Sequence, residues 1–301
     1  MNEKDFDSLN DKCIDLGVCF QPGPGGLPMA LINNEQGSAE IALHGAHVMS
    51  FFPKGEKPVL WMSRSSWFLP DKPIRGGIPV CWPWFGGHPS NTAIPAHGFA
   101  RISEWQFADA GRLDSGATWL ELKLTEKDID EQFKDFPFEA VLHITVGNVL
   151  EVALQIKNTG EKEICFSAAL HSYFNISDIN QIAVSGLAGR EYLDTLNNTQ
   201  AVQNGKITVN AEIDRVYLDT EDACVIEDSG YNRTIRIAKS GSRSTVIWNP
   251  WIDKSKRMPD FGDEEYHNMI CVETTNAQND ARSLEPGAIH VIKAEISTGI
   301  L

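Results

Sequence analysis

The sequence contains no run of about 20 apolar residues, the length a helix needs to cross a bilayer, so no transmembrane helix is expected. Its N-terminus, MNEKDFDSLNDK, lacks the basic, apolar and cleavage regions of a signal peptide. Basic residues are few: 26 Lys and Arg against 41 Asp and Glu leave a net charge of −15. That balance argues against a general binder of nucleic acid or of anionic membrane, because both require a basic face. A small anionic ligand is still accommodated, since screening beyond roughly 8 Å lets a local arginine cluster act against the global sign. No C-x-x-C pair suggests zinc. The cysteines (Cys13, Cys19, Cys81, Cys165, Cys224, Cys271) are scattered, mostly among apolar residues, and read as reduced, largely buried thiols of a cytoplasmic protein. Walker A, G-x-G-x-x-G and G-x-S-x-G are all absent, which weakens nucleotide, dinucleotide and serine-hydrolase readings.

Helical periodicity is also scarce. Residues 126–136 and 260–269 have room for a turn or two each. What dominates is a period of two. TWLELKLTEKD sets Leu120, Leu122 and Leu124 on one face, with Glu121 and Lys123 on the other. AVLHITVGNVLEVALQIKN reads as two strands around Gly147-Asn148. ICFSAALHSYFNI, RTIRIAKSGSRSTVIWNPW, NMICVETTNA and GAIHVIKAEIS are further strand candidates. Many short strands with turn signals between them predict an all-β antiparallel sandwich or barrel. At 301 residues the chain can bury about three quarters of its unfolded surface. No linker or repeat divides it, so 1–301 reads as one domain, with 1–37, which contains QPGPGGLP, expected to be an irregular lead-in.

The stretch IRGGIPVCWPWFGGHPSNTAIPAHGFAR, residues 74–101, is too rich in glycine and proline for a helix or a long strand, yet too aromatic for a floppy linker. Arg75 and Arg101 each present a fork of donors suited to phosphate or carboxylate; surface salt bridges are the ordinary alternative. Trp82 and Trp84 are either core or a platform for a sugar ring's C–H face. His44 and His47, three apart, point to opposite faces of a strand, so with His88 and His97 downstream they form no convincing metal set. They read as packed or hydrogen-bonded histidines. His171, in AALHSYFN, is either a core histidine satisfied by backbone or a general acid or base. Glu273 interrupts the apolar run MICVETTNA, and a buried carboxylate must be paired, at a strand end, or functional. Asp214, in DRVY, either accepts sugar hydroxyls or caps a turn.

HGAHVMSF, RGGIPVCWPWFG, PAHGFAR, LHSYFNI, DRVY, VIWNPW, DFGDEEYHNMICVET and LEPGAIH occur in this order. From about residue 40 onward that set resembles the hexose-6-phosphate mutarotases, or glucose-6-phosphate 1-epimerases, of the wider aldose 1-epimerase group. The resemblance implies a large antiparallel β-sandwich of the galactose-mutarotase type. It implies interconversion of the α and β anomers of a hexose 6-phosphate by ring opening and reclosure, without cofactor or metal. It carries catalytic roles over to His171, as imidazolium acid, and Glu273, as base. Substrate contacts carry over to Arg75, His97, Arg101 and Asp214, and the two arginines are expected to receive the phosphate. One family contact is in some members a glutamine where this chain has Ala96, whose side chain cannot replace it. The expected partner is a small-molecule sugar phosphate, with neither nucleic acid nor membrane involved. Two rivals stand beside this reading: an epimerase of unphosphorylated sugars, and a silent sugar-phosphate-binding protein.

Overall fold

Leu120, Leu122 and Leu124 are fully buried on the strand Thr118–Thr125, whose burial alternates along its length as the sequence predicts. The computed structural model describes residues 3–88, 90–91, 93–134 and 136–301. Among them are two eight-stranded sheets, a four-stranded sheet and a two-stranded one, with antiparallel neighbours throughout. This is the all-β sandwich expected. The hairpin around Gly147-Asn148 pairs Phe138–Val146 with Leu150–Asn158. No helix of the described residues is long and apolar enough to cross a membrane.

The core lies between the large sheets. Leu120, Leu142, Leu154 and Ile292 of one sheet share a cluster with Leu170, Ile247, Ile270 and Val272 of the other. The second sheet is buried on its other face as well. Met269–Asn276 is buried at every position, as a strand covered on both faces must be. Its odd-numbered residues Met269 and Cys271 belong to a separate cluster with Trp61, Tyr173, Val246, Trp248 and Phe261. Period two therefore sends Ile270 and Val272 into the sandwich, and Cys271 and Glu273 to the opposite side.

Two expectations need correction. The segment 1–37 is not an irregular lead-in. Residues Glu3–Cys13 form a helix, and Val18–Pro22 and Pro28–Asn33 are strands of the four-stranded sheet. Phe6, Leu9 and Cys13 make one packed stripe at helical spacing. Acids in the first turn and Lys12 in the last suit the helix dipole. Asn10 ties the helix to the sheet, donating to the carbonyl of Phe20 and accepting from its amide. Only the turn at Pro24–Gly26 keeps the irregularity that QPGPGGLP suggests. Second, the strand candidate RTIRIAKSGSRSTVIWNPW is two strands rather than one. Arg233–Ser240 and Ser244–Asn249 belong to different sheets, and the Gly241 turn carries the chain from one to the other. The helical turns expected at 126–136 and 260–269 are the 3-10 turns Glu131–Phe133 and Glu265–Asn268; the short helix Trp251–Ser255 carried no periodic signal.

Candidate active site

Sheet register assembles the site in rows. Tyr173 pairs with Cys271, Cys271 with Trp248, and Trp248 with Asp214. One row across four strands thus carries a phenol, a thiol, an indole and a carboxylate. In the next row Glu273 pairs with Val246. His171 sits where the strand opposite Met269–Asn276 breaks, between Ala168–Leu170 and Tyr173–Asn175. Its amide donates to the carbonyl of Pro79.

His171 and Glu273, 102 residues apart in sequence, are brought together: Nδ1 of His171 lies 3.4 Å from Oε1 of Glu273. The side chains are 9% and 1% exposed. The contact is close but not aligned as a hydrogen bond, and among the described residues Nδ1 of His171 and Oε2 of Glu273 have no hydrogen-bond partner. Aromatic rings enclose the imidazole. Tyr173 stacks on it at 4.8 Å, His97 stands 5.7 Å away, Trp248 6.1 Å and Phe85 6.4 Å. Burial drives both members toward their neutral forms. It pushes the Glu273 carboxyl well above the carboxylate range, helped by the nearby Asp214, and holds the His171 imidazole well below the histidine range, helped by His97, Arg75 and Arg101.

The two arginines differ. Arg75 is pinned: Nε and Nη2 reach Oδ2 of Asp260 at 3.1 and 3.0 Å, and Nη1 donates to the Tyr173 hydroxyl at 2.9 Å. Burial works against its charge, but Tyr173 and Asp260 more than offset that and raise its proton affinity. Arg101 is not hydrogen-bonded to these groups, and Tyr173 and Asp260 favour its charge only through space. Its Nη2 donates to the carbonyl of Ala96 at 2.8 Å, its Nε has no partner, and among the described residues no carboxylate pairs with it. Burial lowers its proton affinity, and the charge on Arg75 pushes the same way. A guanidinium without a paired carboxylate has donors left over that an anion could use.

His97 occupies the left-handed backbone region, with φ 66°, beside Gly98 at φ 75°. A Cβ at Gly98 would stand 2.0 Å from the carbonyl oxygen of Trp82, so only glycine fits. The His97 amide donates to Gly86 O, and the Gly86 amide donates to Nδ1. Nε2 therefore carries the hydrogen and can donate to a ligand. Burial, then Arg101 and Arg75, push this imidazole down to about 3. Asp214 lies near enough to Glu273 to raise it, and burial raises Asp214 itself.

Other candidates resolve as packing. Trp82 is fully buried in the main core, and Trp84 packs edge-on against His88 and Phe99 while its Nε1 donates to Pro95 O. His44 and His47 each place Nε2 at 2.8 Å from a backbone carbonyl, Lys72 and Gly76 respectively. The segment 74–101 is partly a strand, since Val80–Cys81 pairs with Ala169 and Leu170. Sequence reasoning missed Tyr173, Trp248, Asp260 and Cys271. Period two in HSY, VIWN and CVE offered a signal for the first, second and last. Nothing local marks Asp260, which is 185 residues from Arg75. A hollow of about 720 Å³ between Phe136-Pro137 and residues 159–165 is lined by none of these groups.

The family described as aldose 1-epimerase matches residues 28–297. A protein of Escherichia coli (strain K12), provisionally named glucose-6-phosphate 1-epimerase, is 35% identical over 270 residues, covering 89% of this chain and 90% of that one. A protein of Cenchrus ciliaris under the same provisional name is 34% identical over 275 residues, covering 88% and 82%. A solved structure from Salmonella typhimurium, described provisionally as a mutarotase, superposes with a TM-score of 0.85 at 30% identity, over 97% of this chain and all of that one.

Proposed function

The chain belongs to the aldose 1-epimerase family, and on that footing we propose that this isomerase interconverts the α and β anomers of a hexose 6-phosphate, glucose 6-phosphate being the first substrate to test. The observation that carries the reading is the buried His171–Glu273 pair, 3.4 Å apart. Arg101, with which no carboxylate pairs among the described residues, supplies the argument for a phosphate.

Mutarotation needs one proton removed from the anomeric hydroxyl and one delivered to the ring oxygen. The C1–O5 bond breaks as O1 becomes the aldehyde oxygen. Rotation about C1–C2 presents the other face, and O5 re-adds with the proton roles reversed. The pair needs one proton in total. Imidazolium with carboxylate and imidazole with carboxylic acid hold the same number, so either allocation can start the cycle. Burial favours the second, and on that ground we assign His171 as the base and Glu273 as the acid. This reverses the allocation that the resemblance implies. Each positioned proton transfer typically contributes about 10²–10⁴-fold. His97 Nε2–H and Asp214 are proposed to hold sugar hydroxyls, and Trp248 to flank the ring.

One observation favours an epimerase of unphosphorylated sugars: Arg75 already has Asp260, so a two-arginine phosphate clamp is half occupied. Comparing kcat/KM for glucose 6-phosphate and glucose, in wild type and Arg101→Ala, separates the two. The phosphate reading expects a strong preference for glucose 6-phosphate that collapses in the variant. Equal efficiency on both sugars defeats it. We propose further that 1–301 acts as one domain, since the N-terminal sheet contributes Phe20, Ile32 and Ile41 to the core shared by both large sheets. A cytoplasmic setting suits its six free cysteines.

A further inference from the structure

Cys271 has no part in the chemistry above, yet it lies inside the site. Its Sγ, a nitrogen of His171 and a carboxylate oxygen of Glu273 all lie within 4.8 Å of one another, and all three residues are buried. Cys271 and Glu273 are two apart on one strand and so share a face, while His171 comes from the break in the neighbouring strand. We propose that His171, Cys271 and Glu273 form a three-ligand site for a thiophilic divalent cation of the zinc and cadmium class, whose binding locks the acid–base pair and stops the reaction. The binding stands on the ligands alone; the inhibition rests on the reading of His171 and Glu273 as the reacting pair.

The donor set suits such an ion. Thiolate, imidazole and carboxylate are its usual ligands, at about 2.3 Å for sulfur and about 2.0–2.2 Å for nitrogen and oxygen. Tetrahedral placement at those lengths separates donors by roughly 3.3–3.7 Å. His171 and Glu273 already stand at 3.4 Å. The widest pair has to close by about an ångström, a movement within the reach of side-chain rotation. Two of the donor residues also carry buried atoms without a hydrogen-bond partner among the described residues: Nδ1 of His171 and Oε2 of Glu273.

Charge favours the ion only as a complete unit. A buried thiolate or carboxylate alone is costly. Together the two cancel the charge of a divalent cation, leaving a neutral cluster with a neutral imidazole. Burial opposes ionisation of Cys271 and Glu273, so the ion must displace their protons. Arg101 opposes the ion, and Asp260 tempers the opposition from Arg75. The opening is at His171, whose side chain keeps 9% exposure, and a fourth ligand position there is where a sugar hydroxyl has to approach. Inhibition should therefore compete with the sugar.

The test is a titration of metal-free, full-length protein with Cd²⁺, read by the ultraviolet thiolate-to-cadmium charge-transfer band and by calorimetry. We expect one equivalent bound. Affinity should drop at least tenfold and the band vanish in Cys271→Ser, while Cys165→Ser, at the exposed cysteine, keeps both. Anomer exchange by the wild type should be inhibited with a constant equal to the binding constant, relieved by excess sugar phosphate and by a chelator. Should Cys271→Ser fail to fold, His171→Ala must show the same loss of affinity. The site is overturned if the wild type shows no stoichiometric band, or if the band survives in both variants. Full activity with one equivalent bound overturns the inhibition. Cadmium bound as predicted to a protein with no mutarotase activity upholds the site and sinks the proposed function instead, so the two failures are distinguishable.

Discussion

The ring of Tyr173 lies on the ring of His171, centroids 4.8 Å apart and planes 6° from parallel, while its hydroxyl accepts from Arg75 at 2.9 Å. One residue thus touches both the proposed acid–base pair and the arginine beside it. Tyr173→Phe keeps the stack and removes the acceptor. The expected result is a KM for glucose 6-phosphate raised about two- to tenfold, the range of one net hydrogen bond of about 0.5–1.5 kcal/mol, with kcat unchanged. A fall in kcat at constant KM would mean that the hydroxyl acts through His171 instead.

Arg75 and Arg101 should behave differently on truncation. Arg101→Ala removes a partly buried cation with which no carboxylate pairs among the described residues. Stability should hold or rise, and the KM for glucose 6-phosphate should rise about ten- to a hundredfold, the worth of a charged hydrogen bond of about 1.5–3 kcal/mol. Arg75→Ala strands Asp260, whose side chain is 7% exposed, and should cost about 3–5 kcal/mol of stability. Adding Asp260→Asn should recover part of that. Urea denaturation of the two single variants and the double variant checks this; equal stability losses at Arg75 and Arg101 would contradict it.

Much of this arrangement was open to reading from sequence, and the exceptions have causes. Leu120, Leu122 and Leu124 announce their strand because one face is buried and the other is not. Met269–Asn276 is buried on both faces, so its apolar run hides which side Cys271 and Glu273 take until the neighbouring strands are known. The helix Glu3–Cys13 escaped because its packed stripe, Phe6, Leu9 and Cys13, is thin and set in acidic sequence. His171 and Glu273 could be named but not joined, since register sets their distance. The pairing of Arg75 with Asp260 spans 185 residues and leaves no local mark, which is why the two arginines looked equivalent.

The pH profile should carry the imprint of burial. In the proposed mechanism the working pair holds one proton. It gains a second as pH falls through the lowered His171 value, and loses its only one as pH rises through the raised Glu273 value. The acid limb of kcat/KM should therefore lie below the ordinary histidine value of about 6.5, and the alkaline limb above the carboxylate range. Free glucose is the cleaner probe, because a phosphate's second proton leaves near pH 6. An acid limb at about 6.5 would contradict this assignment.

Acid stability should depend on His47, which burial pushes down to about 3. Between about 6.5 and 3 the unfolded chain binds a proton at this residue that the folded chain refuses. Stability is therefore lost as pH falls through that window, by up to about 1.4 kcal/mol per pH unit from this residue alone. His47→Gln should flatten the fall in urea midpoint between pH 6 and pH 4; an unchanged slope would show that the burial of His47 is not what drives it.

The central claim is that His171 and Glu273 together open and close the ring of a hexose 6-phosphate. Exchange NMR on an equilibrium mixture of α- and β-glucose 6-phosphate reads the interconversion directly, at catalytic protein concentration. The wild type should exchange the anomeric resonances well above the spontaneous rate. His171→Ala and Glu273→Gln, each shown to be folded, should each fall by at least about 10², the least one positioned proton transfer typically supplies. Exchange at near wild-type rates in either folded variant, or none above background in the wild type, would contradict the account.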